Sequence, residues 1–185
     1  MLAGSEAAER WNDPNPWETG LRQFVLRDAL VDAGNGFDLV LIDCPPHISL
    51  WAWSALVAAH GVVVPLQAED YGAQGLKSIR WTIAHVQADA NPALALIGYL
   101  VTIFNKALSV HVTYAAYLRE LHGADAFEAV IPLAKDFKEA VTLRKPVIEH
   151  KPRSAASKAV AALADEFLAR IEARTPSNAE SRRVA

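Results

Sequence analysis

Asp43 closes a run of four apolar residues, Leu39–Val40–Leu41–Ile42. The wider stretch, Phe37–Asp38–Leu39–Val40–Leu41–Ile42–Asp43–Cys44–Pro45–Pro46, passes from strand-forming residues straight into an acid, a thiol and two prolines. A carboxylate there is chemically useful, because open α/β sheets bind ligands outside the carboxyl ends of their strands. An acid in that place also serves as a plain loop residue capping the next helix, and residue type leaves both readings open. Cys44 is the single cysteine. As a nucleophile it needs a base, and the sequence fixes no histidine beside it. His47 and His60 lack ligand spacing with cysteine or acids and read as structural.

The elements that must position Asp43 follow from periodicity. Phe37–Ile42 is too short for an ordinary helix and is rich in strand formers, so it reads as a strand buried on both faces of a parallel sheet. Pro45–Pro46 stops that strand and stiffens the following loop. Upstream, Leu21–Ala33 reads as a helix with Leu21, Phe24, Val25 and Ala29 on one stripe. Downstream, a helix over Ser49–His60 leads into a second buried strand, Gly61–Leu66. Residues 72–87 carry Leu76, Ile79, Ile83 and Val86 at helical spacing. Leu94–Phe104 contains a third strand. Ser109 is placed to cap a helix running to Leu121. Phe127–Ile131 is a short fourth strand stopped by Pro132. Residues 136–143 form a short helix. Ser154 caps a last helix whose stripe is Val160, Leu163, Phe167, Leu168 and Ile171. The alternation of strands and helices predicts an α/β fold, a parallel sheet with helices on both faces. Residues 1–175 read as one domain and 176–185 as a disordered polar tail.

Composition bounds the class. The chain has 185 residues, 52% hydrophobic and 21% charged, which fits a globular domain with a core. One cysteine excludes an internal disulfide framework and fits a reducing compartment. No stretch is long and apolar enough for a membrane span, and the start lacks the pattern of a signal peptide. The net charge of −3 is unevenly spread. Residues 1–134 hold 7 Lys/Arg against 14 Asp/Glu, whereas residues 135–185 hold 11 against 7. A basic last third suits a surface that faces nucleic acid, and equally an ordinary solvated face.

Pro45–Pro46, the helical stretch around Ser54–Ala55–Leu56, Gly61–Val62–Val63–Val64–Pro65–Leu66–Gln67–Ala68–Glu69 and Gly75–Leu76 together resemble the ParA/Soj family of partition ATPases. That family belongs to the deviant Walker-A P-loop group, with MinD as a cousin. The resemblance continues through Ile131–Pro132, Glu139–Ala140, Lys145–Pro146–Val147 and Ser154, and spans residues 18–173. It implies that Asp43 is the Walker B acid serving Mg²⁺, directly or through its water, with Pro45 and Pro46 in switch II. Asn105 and Pro132 stand where the family places the nucleotide base. Lys135, Lys138, Arg144, Lys145, Lys151, Arg153 and Lys158 stand where family members bind DNA without sequence preference. ATP and Mg²⁺ as cofactors, a homodimer, a ParB-type adaptor and a cytoplasmic, nucleoid-associated location follow from the same resemblance. Two positions depart from the pattern: Asn105–Lys106–Ala107–Leu108 replaces the usual Asp–x–Arg–Thr, and Leu133 replaces the usual arginine.

A phosphate cradle needs Gly-x-x-x-x-Gly-Lys-Ser/Thr, and no such motif occurs in the 185 residues. The resemblance places that loop upstream of Walker B, while 42 residues precede Asp43. The expectation is therefore an incomplete P-loop NTPase-like domain lacking the P-loop strand, with no catalytic residue of its own and no ATP hydrolysis by this chain alone. The competing expectation is a non-catalytic interaction or DNA-binding protein on a degenerate scaffold. An unrelated flavodoxin-like enzyme has no phosphate loop or catalytic pair to support it.

Overall fold

Two serine caps show how directly local sequence sets the elements. Ser49 accepts the Ala52 N–H at 3.4 Å and starts α2 (Leu50–Ala58). Ser154 accepts the Ser157 N–H at 3.1 Å and starts α7 (Ala155–Glu172). In both, a hydroxyl replaces a backbone partner that the first helical turn cannot supply. The computed structural model describes residues 15–33, 36–45, 47–68 and 72–174. Pro46 and the expected tail lie outside those residues.

The described elements run in the order α1 (Val25–Ala33), α2, β1 (Gly61–Gln67), α3 (Gly72–Asp89), β2 (Ala95–Phe104), α4 (Ser109–His122), β3 (Ala126–Pro132), α5 (Lys135–Thr142), α6 (Val147–His150) and α7. Short 3-10 turns over Pro16–Glu18 and Gly20–Phe24 precede α1. The strands form a three-stranded parallel sheet in the order β1-β2-β3. The predicted α/β class with a parallel sheet and helices therefore holds.

The chain divides into two compact units. The first comprises residues 1–62 and 76–95. Its centre is α2, buried on most sides through Leu50, Ala52, Trp53, Ala55 and Val57. Trp53 Nε1 donates to Gln23 Oε1 at 2.9 Å, and Trp17, Trp53 and Trp81 surround His85 with ring centroids 4.8–5.2 Å away. Asn91 closes the far end of α2 by donating to the carbonyls of Leu56 and Ala59 at 3.0 and 2.8 Å. The expected stripe on the first helix is corrected here: Leu21, Val25 and Ala29 are exposed, while Phe24, Leu26 and Leu30 are half-buried.

The main correction concerns Phe37–Ile42. It is not a strand. Residues 37–45 have no regular secondary structure, and Phe37 and Leu41 are 71% and 76% exposed. The physical reason is the lack of a ladder partner. A strand is stable only when its N–H and C=O groups pair with a neighbour, and among the described residues none is offered to this run.

The second unit, residues 63–75 and 96–185, holds the sheet. Ile97, Leu100 and Phe127 form its core with Val63, Ile131, Leu163 and Phe167 packed against them. The sheet's outer edge at β3 is closed by α7. Glu166 accepts the N–H groups of Glu128 at 3.0 Å and Ala129 at 2.8 Å. Arg170 pairs with Glu166 at 2.7 Å and donates to the carbonyls of Ile97, Ala124 and Ala126 at 2.7–3.0 Å. Its guanidinium also lies 4.1 Å from the centre of the Phe127 ring. Gly98 leaves the room for this: a Cβ there would lie 2.8 Å from the Asp125 carbonyl and 2.9 Å from Arg170 Nη1.

Burial alone would raise the Glu166 carboxyl. The hydrogen bonds from Ala129, Glu128 and Arg170 outweigh it and hold the group below the ordinary glutamate value. The clasp's contribution is therefore complete above the ordinary glutamate range and is lost as pH falls through the folded value. Urea unfolding checks this: Glu166→Gln costs about 1–3 kcal/mol at neutral pH and flattens the loss of stability in acid. Gly98→Ala costs a further about 1–3 kcal/mol by overpacking, read in the same assay.

Candidate functional site

The carboxyl ends of β2 and β3 meet side by side. Phe104 is in register with Pro132, and the Leu133 N–H donates to the Phe104 carbonyl at 2.8 Å. Just before this point the register slips between Val101 and Phe104. The slip coincides with Ile103, whose φ of +54° is rare for a β-branched residue. A bulge of this kind bends the strand and re-aims the residues beyond it.

Asn105 is the first residue past the strand. Its Oδ1 accepts the Ala107 N–H at 3.0 Å, and its carbonyl accepts the Leu108 N–H at 3.0 Å. Its own N–H donates to His111 Nδ1 at 3.1 Å. The turn then enters α4. The expected cap at Ser109 is displaced by one residue: Leu108 holds the cap position without a side-chain bond, and Ser109 is the first helical residue. The Asn105 carbonyl holds the Leu108 N–H, and the Leu108 carbonyl accepts the His111 and Val112 N–H groups, so the helix begins one residue later than a Ser109 cap would set it.

The structure thus brings Asn105 and Pro132 together at one end of the sheet. Asp43 belongs to the first unit, exposed in the segment without ladder partners. Pro45 beside it is exposed as well. Cys44 donates to the Ile42 carbonyl at 3.8 Å. Partial desolvation of its sulfur, with the Asp43 charge second, pushes the thiol up, which keeps it protonated and poorly nucleophilic. Among the described residues no group of three His, Cys, Asp or Glu side chains converges as a metal cluster, and Asp43 is the one carboxylate with a sequence argument for Mg²⁺. Asn105 and Pro132 therefore share one sheet end, and the sequence contains no glycine-rich phosphate-binding motif.

The seven basic residues separate by environment. Lys135, Lys138, Arg144, Lys145, Arg153 and Lys158 are exposed. Lys135 reaches Glu139 at 3.9 Å, an i,i+4 pair on a solvated surface. Lys151 is held differently. Its ammonium donates to Asp136 at 2.8 Å and to Glu139, which also meets His150 at 3.4 Å. The bond to Asp136, then that to Glu139, raises the lysine; Lys151 and then His150 lower Glu139. Lys151 therefore ties α5 to the turn after α6, beside the core of Ala140, Val147 and Ala156. Arg144 sits after α5 with φ +52°, where Lys145 N–H bonds back to the Ala140 carbonyl at 3.0 Å. Helices usually end this way on glycine.

Sequence reasoning missed His111 and the Glu166–Arg170 clasp. The clasp had one signal, an i,i+4 acid–base pair, which on most helices is a surface pair. His111 had none beyond its helical phase with Ala115 and Leu118.

The three-stranded parallel sheet with its helices is an α/β fold shared with solved P-loop ATPases over part of their length. It is similar to the septum site-determining protein MinD of Pyrococcus horikoshii complexed with Mg-ADP, with a TM-score of 0.66 and 21% identity over 83% of this chain and 60% of that one. The AAA-domain family model matches residues 15–96. The chain is 40% identical over 148 residues to the chromosome-partitioning ATPase Soj of Thermus thermophilus, covering 80% of this chain and 59% of that protein. It is 35% identical over 155 residues to the chromosome partitioning protein ParA of Caulobacter vibrioides, covering 83% and 58%. The chain belongs to the ParA/Soj family of chromosome-partitioning ATPases. It spans a little under three-fifths of the length of these curated relatives.

Thermal unfolding separates the roles of the basic residues. Lys151→Ala lowers the midpoint, whereas Lys158→Ala leaves it unchanged.

Proposed function

We propose that this chain carries the base side of a ParA-type nucleotide site and a DNA-facing basic surface, and that it does not hydrolyse ATP by itself. The observation that carries this reading is the 40% identity to Soj over 80% of the chain. The juxtaposition of Asn105 and Pro132 supports the base side. In the whole protein, ATP and Mg²⁺ are the cofactors, with Asp43 serving the metal and Pro45 and Pro46 forming the phosphate-sensing loop. Phosphates are held by a glycine-rich loop that this sequence does not contain. Lys135, Lys138, Arg144, Lys145, Arg153 and Lys158 neutralise DNA phosphates; Lys151 shapes the surface that presents them. Homodimerisation, a ParB-type adaptor and a cytoplasmic, nucleoid-associated location complete the reading. Among the described residues no helix is long and apolar enough to cross a membrane.

A second reading, a non-catalytic interaction or DNA-binding protein on a degenerate scaffold, is favoured by the exposed apolar residues Phe37, Leu39, Val40 and Leu41, which suit a protein contact. Titration with duplex DNA at two salt concentrations, with and without ATP–Mg²⁺, distinguishes them. Dependence on nucleotide supports the first reading, and salt-sensitive binding indifferent to nucleotide supports the second.

Arg144 offers a sharper check on DNA binding. Arginine in the left-handed region costs about 1 kcal/mol relative to glycine. Arg144→Gly is therefore expected to raise stability by up to about 1 kcal/mol. The same change weakens DNA binding and makes the salt slope shallower by about 0.9 for the lost phosphate contact. Urea unfolding and fluorescence anisotropy on one preparation read both. Unchanged DNA affinity removes Arg144 from the DNA surface.

A further inference from the structure

We infer that His111 is a positioning residue for the nucleotide base, acting through the backbone of Asn105; this rests on the base-side reading of Asn105 and Pro132. The turn after β2 starts from an unfavourable backbone. Ile103 has φ +54° at a register slip, and such a conformation persists only where the surroundings over-determine it. Two bonds fix the residues beyond it. The Leu133 N–H holds the Phe104 carbonyl at 2.8 Å from the β3 side, and His111 Nδ1 holds the Asn105 N–H at 3.1 Å from the α4 side.

His111 is 7% exposed, with its ring 6.2 Å from that of Phe104. Since Nδ1 accepts, the ring is the neutral tautomer with its proton on Nε2. No other side chain of the first turn of α4 bonds to the Asn105 amide. Asn105 Oδ1 accepts the Ala107 N–H, and its Nδ2 amino group makes no hydrogen bond among the described residues, which leaves it available as a donor. A donor held at the strand ends beside Pro132 suits a ring-nitrogen acceptor of a purine. Without the Nδ1 acceptor the Asn105 N–H loses its partner, the turn relaxes from its bulged form, and the donor is no longer aimed.

The test uses the ¹⁵N-labelled chain, titrated with ATP–Mg²⁺ and followed by NMR, in the parent, His111→Leu and His111→Asn. Asparagine keeps an acceptor close to the place of Nδ1; leucine removes it. ATP is expected to shift the amide signals of Phe104, Asn105, Ala107 and Leu133. His111→Leu weakens binding about three- to tenfold, the range of one hydrogen bond, and His111→Asn restores it to within about twofold. If both variants bind like the parent, or both lose binding equally, His111 is not a positioning residue, while the base-side reading stands. If ATP shifts none of these signals in the parent, the base-side reading itself fails, and this inference with it. Should His111→Leu not fold, amide exchange of Asn105 in the parent decides: slow exchange is required, and fast exchange overturns the proposal.

Discussion

The hydrogen bonds from the Glu128 and Ala129 backbone to one carboxylate on α7 hold the sheet in its observed form. β3 is an edge strand whose register slips between Ala126 and Val130 relative to β2. A slip turns backbone donors away from the ladder, and Glu166 collects two of them. Arg170 then neutralises Glu166 and reaches three carbonyls across the strand ends. A neutral group could fill the same space, but the charge-assisted bonds satisfy several backbone groups at once. The consequence is directional. With β3 closed by a helix, any further strand must join at β1, whose second side has no neighbour among the described residues.

That closure sets what the opposite end of β3 can do. Pro132 is held against Phe104, and the bulge at Ile103 turns Asn105 out of the strand. The site is thus made by backbone irregularities rather than by a cluster of reactive side chains. The sequence likewise contains no glycine-rich phosphate-binding motif. The basic surface obeys a different logic. One of its lysines is bound to two carboxylates, and Arg144, exposed, takes a backbone conformation usually left to glycine.

Much of the fold was legible in the chain. Apolar runs of strand length located β1, β2 and β3, and the serine at 154 located a helix start to the residue. These features are local, and local rules read them. The run Phe37–Ile42 shows where such rules stop. Its composition is that of a buried strand, but burial requires a partner on each side, and partners are a property of the whole sheet. The bulges at Ile103 and near Glu128 were illegible for a related reason: register is set between strands. Glu166 and Arg170 were passed over because nothing in their i,i+4 spacing reveals a strand edge beneath them. Asn105 and Pro132 were singled out only through resemblance, and the contact of His111 with the Asn105 amide came from the structure alone.

Backbone amide exchange of the intact chain tests this account most directly. The amides of Glu128 and Ala129, although on an edge strand, are predicted to exchange slowly because the Glu166 carboxylate holds them. Those of Leu39–Ile42 are predicted to exchange at nearly the rate of an unfolded peptide. Fast exchange at Glu128 and Ala129 together with strong protection over Leu39–Ile42 would contradict it, placing the apolar run inside the sheet and leaving the outer edge open.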